Sequence, residues 1–369
     1  MQFFAPEIEK LRRMHRHRTL ALPSGLDFTS NDYLGLSRHP ALREAIIAAL
    51  DDDGFVGAGG SRLLRGHHRA HERLEAFAAQ FFGAEKALYF GSGFLANFAL
   101  FSTLPERHDA VIFDERIHAS VKEGVHASPA PRYKATHNDV ASFEAAMARA
   151  RGKGAKRIFV AVESIYSMDG DLAPLIELDV AARKFGAVLI VDEAHATGVF
   201  GPRGRGLSEG LQNQTAIAVH TCGKALGVAG ALVTGPAETI DYLINKARPF
   251  IYSTAPPPML AAAVERALRL VNEEPWRRAR VLELARFAHG ELCPDGDFTG
   301  SQIVPVILGS EERTLYIARA LQEQGFDVRA IRPPTVPEGT SRLRVSINAG
   351  HNEDQIAALA GALRGSMAR

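Results

Sequence analysis

The sequence predicts an α/β protein built on a mostly parallel sheet, for three reasons. Between residues 87 and 233, short apolar runs alternate with amphipathic segments of helical period. The runs are apolar throughout instead of alternating with polar residues, which is typical of parallel strands covered by helices on both faces. After Pro256, longer helical segments precede a second, shorter series of strands. We therefore expect a large sheet domain followed by a smaller C-terminal α/β domain.

Composition places the chain among globular proteins and excludes several classes. Of its 369 residues, 46% are hydrophobic and 23% are charged, and the net charge is +1, so no global field attracts polyanions. Two cysteines are too few for a disulfide framework, and no apolar run reaches the ~18 residues of a membrane span. The first residues lack the apolar stretch of a signal peptide. We expect a cytoplasmic protein that binds neither nucleic acid nor a membrane.

The predicted elements follow the chain in three parts. An N-terminal segment, residues 1–40, begins with a short helix. The large domain, residues 41–255, has predicted helices at 41–50, 68–82, 141–150 and 175–185 and predicted strands at 87–90, 110–113, 158–162, 188–191, 216–219 and 231–233. The small domain, residues 256–369, has predicted helices at 256–272, 277–292, 312–324 and 353–363 and predicted strands at 303–308, 326–331 and 342–347.

The segment 89–97, YFGSGFLAN, has the pattern of a strand, a glycine-rich turn and the start of a helix. The N–H groups of such a turn and the helix dipole point at an anion, so phosphate is the natural ligand. The segment also fits the pattern G-x-G-x-x-A, and Asp114 follows a strand about 20 residues on, as in a dinucleotide site. This motif alone leaves open a nicotinamide cofactor, another phosphate-bearing cofactor and a purely structural turn.

Two further motifs place chemistry at the ends of predicted strands. The apolar run 187–191 delivers Asp192 to the edge of the sheet where open α/β sheets bind ligands. A carboxylate there can keep a heterocyclic nitrogen protonated, or it can simply cap the next turn. Lys224 lies between glycines after a strand, so its amine is either a nucleophile or an ordinary solvated charge. A metal-dependent ATPase would need a P-loop, and the sequence has none.

The fourth motif is the proline-rich segment 330–337, AIRPPTVP, which precedes Arg342 and Arg344 on a predicted strand. Prolines can hold cationic groups over a cleft, where arginine suits carboxylates, although an edge loop with surface arginines has the same pattern. The motifs are more specific together than separately. A phosphate turn, a buried carboxylate and an accessible lysine are the three groups that pyridoxal 5′-phosphate requires, whereas a nicotinamide enzyme has no use for the last two.

In this order the motifs resemble the α-oxoamine synthase family of fold-type I pyridoxal-phosphate enzymes, and most closely its biotin-pathway branch. The resemblance runs from Asp27 to Leu363 and includes Ser30–Leu36 (SNDYLGL), Gly57–Arg62 (GAGGSR), His118–Ser120 (HAS), Glu163–Asp171 (ESIYSMDGD), Ile331–Pro337 (IRPPTVP) and the segments around Asp192 and Lys224. It implies a fold-type I PLP-dependent transferase with a large mostly parallel sheet domain and a smaller C-terminal α/β domain.

The resemblance also implies residue roles. Lys224 would form the Schiff base with the cofactor, Asp192 would pair with its pyridine nitrogen, His118 would stack on its ring, and His195 would bind its phenolic oxygen. The remaining cofactor residues would be Gly93, Phe94, Ser167 and Thr221, with Thr254 reaching the partner's phosphate in a homodimer. The substrate residues would be Asn31, His118, Arg332, Thr335 and Arg344, the last binding the amino-acid carboxylate. An N-terminal arginine would contact the acyl substrate; Arg16 is our choice, with Arg12 and Arg18 as rivals.

The implied reaction is the decarboxylative condensation of L-alanine with a pimeloyl thioester, which is either pimeloyl-CoA or a pimeloyl-carrier protein. One alternative is a sister synthase of the glycine C-acetyltransferase, 5-aminolevulinate synthase or serine palmitoyltransferase type. Another is a non-catalytic pyridoxal-phosphate-binding regulatory or scaffold protein. The retention of Lys224, Asp192 and both histidines disfavours the latter, as does the lack of spare length for a DNA-binding domain.

Overall fold

The structure is a computed structural model that describes residues 3–212 and 216–368. Its helices are α1 (Ala5–Arg13), α2 (Pro40–Asp53), α3 (Arg69–Phe82), α4 (Gly93–Thr103), α5 (Ala119–Ala127), α6 (Val140–Gly152), α7 (Leu175–Lys184), α8 (Ala237–Lys246), α9 (Arg248–Ile251), α10 (Pro258–Glu273), α11 (Trp276–Leu292), α12 (Glu311–Glu323) and α13 (Glu353–Met367). Within the described ranges, none of them has the length and apolar character needed to cross a membrane.

The strands extend the predicted apolar runs by one or two residues in most cases. They are β1 (Leu26–Asp27), β2 (Lys86–Phe90), β3 (Ala110–Asp114), β4 (Arg132–Ala135), β5 (Ile158–Glu163), β6 (Val188–Asp192), β7 (Ile217–Thr221), β8 (Ala231–Gly235), β9 (Ile303–Gly309), β10 (Phe326–Asp327), β11 (Ala330–Ile331) and β12 (Ser341–Ser346). Strand β4 was not predicted, because its sequence, RYKA, is polar and only its last residue is buried.

The described residues form two compact units. The larger unit comprises Leu34–Tyr166 and Leu172–Ala279, and the smaller unit comprises the residues up to Tyr33, Ser167–Asp171 and the residues from Arg280 onward. These units differ from the domain ranges expected from the sequence. Helix α10, expected in the small domain, packs against α2 and α3 and therefore lies in the larger unit. The N-terminal segment is also divided, because β1 pairs in parallel with β10 of the smaller unit.

The larger unit contains, among the described residues, a seven-stranded sheet of order β2-β8-β7-β6-β5-β3-β4. Strand β8 is antiparallel to both of its neighbours and the other neighbouring pairs are parallel, so the predicted mostly parallel sheet is confirmed. All six residues of β5 are buried, since alternate residues face two different apolar cores. Helices α4 and α5 contribute to one core, and α6 and α7 contribute to the other.

The smaller unit contains a three-stranded antiparallel sheet of order β11-β12-β9 and the short β1-β10 pair, within the described part of the chain. Helices α11, α12 and α13 supply apolar residues to the core of this unit. The predicted strand 326–331 is two short strands, because β10 pairs with β1 and β11 pairs with β12. Buried Val328 lies between them, where the chain passes from one sheet to the other.

Candidate active site

The glycine-rich turn of the larger unit ends at the N-terminus of α4. The Ser92 side chain caps the helix by accepting a hydrogen bond from Leu95 N at 3.1 Å. A Cβ on Gly93 would lie 2.5 Å from Thr221 Cγ2, so only glycine allows the helix to begin this close to the end of β7. Phe94 follows with half of its surface exposed. A helix N-terminus next to a threonine suits a bound phosphate.

Asp192 ends β6 and is 5% exposed. Its Oδ1 accepts a hydrogen bond from Ala194 N at 2.9 Å, and its Oδ2 accepts one from Asn97 Nδ2 at 2.7 Å. The carboxylate is therefore held in one orientation by neutral donors. Asn97 was not predicted as a site residue, although an amide in the otherwise apolar helix segment FLANFALF was a usable signal.

Lys224 follows β7 in a closed turn. Its Nζ lies 2.9 Å from Nε2 of His195, a buried residue that follows β6. The turn is held by hydrogen bonds from Gly227 N to Lys224 O at 2.8 Å and from Val228 N to Cys222 O at 2.9 Å. Gly227 has a φ of +67°, and a Cβ there would lie 2.4 Å from Ser37 N. The backbone that carries the lysine is thus fixed by its own turn.

His118 caps the N-terminus of α5 and accepts a hydrogen bond at Nδ1 from Ser120 N, at 3.2 Å. Burial lowers the pKa of His118 from its ordinary value; the Asp192 carboxylate opposes this shift, and the Lys224 ammonium adds to it. Because the charges of Asp192 and Lys224 both act on the His118 imidazole, these three side chains belong to one site. The structure thus brings together the lysine, the carboxylate and both histidines selected from the sequence.

Other titratable groups near these strand ends are satisfied internally. Asp114 is fully buried and accepts hydrogen bonds from Arg116 N at 2.8 Å, Asn138 N at 3.0 Å and His137 Nδ1 at 2.9 Å. A carboxylate that binds a ribose must be open to its ligand, so Asp114 does not support the nicotinamide interpretation. Cys222 is fully buried, and burial raises the pKa of its thiol, which makes it a poor nucleophile.

In the smaller unit, Arg344 lies on β12 and is 8% exposed. Its Nε donates to Ser167 O at 2.5 Å, its Nη1 to Ser346 Oγ at 2.9 Å and its Nη2 to Tyr33 Oη at 3.2 Å. Tyr33 in turn donates to Asn31 Oδ1 at 2.9 Å, and burial raises the pKa of Tyr33, so its phenol stays neutral. Among the residues that the structure describes, no carboxylate pairs with the Arg344 guanidinium.

Arg342, two residues earlier on the same strand, has a different environment. It is 3% exposed, and its Nη1 lies 2.5 Å from Asp169 Oδ1 in an ion pair. Residues two apart on a strand point to the same side, so these arginines are neighbours. Asp169 neutralises Arg342, whereas the partners of Arg344 are neutral. Of these two arginines, Arg344 is the one whose positive charge an incoming anion could neutralise.

The N-terminal arginines also differ. Arg16 donates to Glu311 Oε1 at 2.9 Å and to Glu338 Oε1 at 3.0 Å, and these bonds raise its pKa. Arg18 donates to Thr335 Oγ1 at 3.1 Å. In the described part of the smaller unit, Arg18 has no carboxylate partner.

Arg332 completes this group, and its guanidinium donates to the carbonyl oxygen of His15. Burial and the nearby charge of Arg18 lower the pKa of Arg332. Within the described residues it also lacks a carboxylate partner. Arg12, the remaining rival, lies 3.4 Å from Glu9 on the exposed face of α1. Arg18 thus contacts Thr335 and lies near Arg332. Arg16 is neutralised by two glutamates.

Thr254 belongs to the larger unit and is exposed. It forms an antiparallel bridge with Ser61, and Ala255 N donates to Gly60 O at 2.9 Å. The motif Gly57–Arg62 therefore lies next to Thr254, and the two form one surface. Its neighbours Leu63, Leu64 and Tyr252 are 51%, 81% and 75% exposed.

The sequence profile of the family described as aminotransferase class I and II matches residues 23–363. The chain is 43% identical over 366 residues to the 8-amino-7-oxononanoate synthase of Chromobacterium violaceum, covering 96% of this chain and 94% of that protein. It is 45% identical over 345 residues to the 8-amino-7-oxononanoate synthase of Methylococcus capsulatus, covering 92% and 88%.

Solved structures agree with this fold. A serine palmitoyltransferase from S. paucimobilis, solved with a bound PLP–myriocin aldimine, has a TM-score of 0.90 at 30% identity and covers 99% of this chain and 96% of its own. The 8-amino-7-oxononanoate synthase of Francisella tularensis has a TM-score of 0.77 at 31% identity, covering 94% and 98%. The backbone is similar to both a serine palmitoyltransferase and an 8-amino-7-oxononanoate synthase. The sequence identities of 43% and 45% to 8-amino-7-oxononanoate synthases are therefore more specific than the structural similarity. The chain belongs to the aminotransferase class I and II family, in the branch of the 8-amino-7-oxononanoate synthases.

Proposed function

We propose that the protein catalyses the decarboxylative condensation of L-alanine with a pimeloyl thioester, pimeloyl-CoA or a pimeloyl-carrier protein, with pyridoxal 5′-phosphate as cofactor. The products are 8-amino-7-oxononanoate, CO₂ and the free thiol carrier, a step of biotin biosynthesis. The observation that carries the proposal is the Lys224–His195 contact of 2.9 Å, in a larger unit that also anchors Asp192.

The residues of the larger unit fit the cofactor. The N-terminus of α4, with Gly93 and Thr221 in close approach, suits the phosphate. The anchored Asp192 suits the pyridine nitrogen, and the Lys224 amine suits the aldehyde carbon. When bound, pyridoxal phosphate acts as an electron sink for negative charge that develops at the amino-acid Cα.

The chain's own residues would then perform distinct tasks. Lys224 would hold the cofactor before the amino acid binds, and its Nζ would take the Cα proton as general base. Asp192 keeps the proton on the ring nitrogen, because an anion next to that nitrogen stabilises its charged form. His195 holds the phenolic oxygen, and His118 covers the ring and excludes water.

Arg344 would bind the carboxylate of alanine. Its present partners, Ser167 O, Ser346 Oγ and Tyr33 Oη, are neutral, so its charge is available to an anion. Its Nη1 and Nη2 each carry a second hydrogen, and a guanidinium fork matches a carboxylate. Fixing the carboxylate orients the Cα–H bond, which is a positioning contribution to the rate.

The distal carboxylate of the pimeloyl group needs a second cation, since burying it without a partner costs several kcal/mol. The sequence analysis selected Arg16 for this contact. Glu311 and Glu338 already neutralise Arg16, which leaves it a weaker attraction for a further anion. We therefore place Arg18 ahead of Arg16 as the receptor, with Arg332 and the Thr335 hydroxyl beside it.

We also propose a homodimer in which Thr254 and Ser253 reach the partner's phosphate. The joined surface around Ser61 and Thr254 exposes apolar side chains, including Leu64 at 81%, that a second copy would cover. Mixing a Lys224→Ala protein with a Thr254→Ala protein would restore activity if each site draws on two chains. Full activity in a sedimenting monomer would contradict the dimer.

The proposed reaction is tested by CO₂ release from alanine, glycine and serine, each supplied with pimeloyl-CoA, with product identification by mass spectrometry. We expect alanine to give 8-amino-7-oxononanoate with the highest kcat/KM. Efficient condensation of serine with palmitoyl-CoA would instead favour the serine palmitoyltransferase type, which the structural similarity makes the main competing activity.

A further inference from the structure

A buried amide, Asn97, links Asp192 to the segment that carries His118. Asn97 is 2% exposed, and its Nδ2 lies 2.7 Å from Asp192 Oδ2 and 3.0 Å from Ser120 Oγ. An amide nitrogen carries two hydrogens, so it donates to both oxygens at once. The flipped amide would place its Oδ1 against the carboxylate, so electrostatic repulsion fixes its orientation.

Ser120 extends this hydrogen-bond chain to the imidazole. It is fully buried in the first turn of α5, and its Oγ lies 2.8 Å from His118 Nδ1. Because Oγ accepts from Asn97, its single hydrogen is available for Nδ1. The Ser120 backbone N–H also donates to Nδ1, at 3.2 Å. Two donors converge on Nδ1, so the neutral ring carries its hydrogen on Nε2.

Three charged groups act on this imidazole. The Asp192 carboxylate raises the pKa of His118, whereas the Lys224 and Lys122 ammonium groups lower it. Burial is the largest influence, and the pKa of His118 lies below its ordinary value as a result. The ring is therefore neutral at and above neutral pH, where its tautomer matters.

We propose that Ser120 and Asn97 are positioning residues that hold His118 as the Nε2–H tautomer and Asp192 in a fixed orientation through one continuous hydrogen-bond chain. The two side chains assigned to the cofactor ring are thereby preorganised as a pair before any ligand binds. The catalytic consequence rests on the proposed function, whereas the tautomer and the hydrogen-bond chain do not.

The tautomer is tested directly by ¹⁵N NMR of histidine-labelled protein saturated with pyridoxal phosphate, with the His118 signals identified by their loss in His118→Gln. We expect a protonated Nε2 and an unprotonated Nδ1. In Ser120→Ala the Nδ1 loses a donor that favours the neutral form, so the pKa of His118 should rise. A hydrogen on Nδ1 in the unmodified protein overturns the proposal, even if Ser120→Ala does not fold.

Ser102→Ala is the matched control. Ser102 lies on the same helix as Asn97, and its Oγ donates only to the Phe98 carbonyl, at 2.6 Å. This variant should leave the titration of His118 and the kinetic constants unchanged. An equal change in Ser102→Ala and Ser120→Ala would mean that helix packing, and not the hydrogen-bond chain, controls His118.

The kinetic test uses Ser120→Ala, Asn97→Ala and the double variant. Each single change removes two hydrogen bonds of the chain and should lower kcat by roughly 5- to 100-fold, with less change in the KM for alanine. The effects should be non-additive because both residues belong to one chain of bonds. Additive effects on kcat would overturn the proposed hydrogen-bond chain and leave the proposed function standing. An unchanged pKa of His118 in an active Ser120→Ala protein would do the same. Absence of product from the unmodified protein, with the tautomer and its shift as expected, overturns only the proposed function.

Discussion

The larger and smaller units use neutral hydrogen-bond partners to hold charged side chains of opposite sign. In the larger unit, the Asp192 carboxylate accepts hydrogen bonds from Ala194 N and Asn97 Nδ2. In the smaller unit, Arg344 has neutral acceptors, and Arg18 lies near Arg332 without a carboxylate partner in the described residues. Under the proposed function, the anchored carboxylate of the larger unit serves a cationic group of the cofactor, whereas the arginines of the smaller unit serve the anionic groups of the substrates.

Removing Lys224 should have the largest effect. Lys224→Ala should lose turnover by about 10³-fold or more, because both the covalent link and the general base are lost, while the cofactor still binds non-covalently. Borohydride reduction followed by peptide mapping should locate the cofactor on Lys224 in the unmodified protein. An adduct on any other lysine would refute the assignment of the site.

Asp192→Asn tests whether the anchored carboxylate serves the cofactor or only the fold. The change removes the charge and keeps the shape, so kcat should fall by about 10²-fold or more while alanine binding changes little, since the lost interaction is stronger in the transition state. Stopped-flow measurement of alanine binding and turnover separates the two. Near-normal turnover would make Asp192 structural.

The pair Arg342 and Arg344 sharpens the comparison within one strand. Arg344→Ala should raise the KM for alanine by more than roughly 100-fold, the effect of two hydrogen bonds to a charged group. Arg342→Ala should instead lower the free energy of unfolding by about 2 kcal/mol, because it removes a buried guanidinium together with its ion pair to Asp169. The KM for alanine and the thermal unfolding of both variants test this difference. A larger increase of KM in Arg342→Ala than in Arg344→Ala would assign the alanine carboxylate to Arg342 instead.

The smallest effect is expected at the N-terminal arginines. Arg18→Ala should raise the KM for pimeloyl-CoA by roughly tenfold and leave the KM for alanine unchanged, whereas Arg16→Ala should change either value less. Octanoyl-CoA lacks the distal carboxylate and serves as the control substrate. Equal losses with octanoyl-CoA and pimeloyl-CoA would show that Arg18 contacts the carrier or packs against the chain.

The residues proposed for the cofactor could be predicted from the sequence because each lies at the end of a local strand pattern. Asp192 and Lys224 follow apolar runs, and Gly93 follows a recognisable turn. The choice among the arginines depends on partners distant in the chain: Glu311 lies 295 residues from Arg16, and Thr335 lies 317 residues from Arg18. No local pattern carries that information.

Partners distant in the chain also explain why the expected domain ranges differ from the two units of the structure. Helix α10 was expected in the small domain because a composition change near Pro256 resembles a boundary, but its apolar face packs on α2 and α3. The hydrogen bonds of Asn97 were not predicted, because its partners Ser120 and Asp192 come from separate elements. Periodicity within an element predicts that it forms, and only tertiary contacts determine what it packs against.

The parallel pairing of β1 with β10 has a consequence for biosynthesis. Leu26 leaves the ribosome 300 residues before its partner Phe326, and at ~10 residues per second this is an interval of about 30 s. Strand β1 must therefore stay unpaired while the residues between it and β10 are translated. A circular permutant that begins near Arg280 would shorten this wait, and its refolding and translation yield would report how far late closure limits production of the native protein.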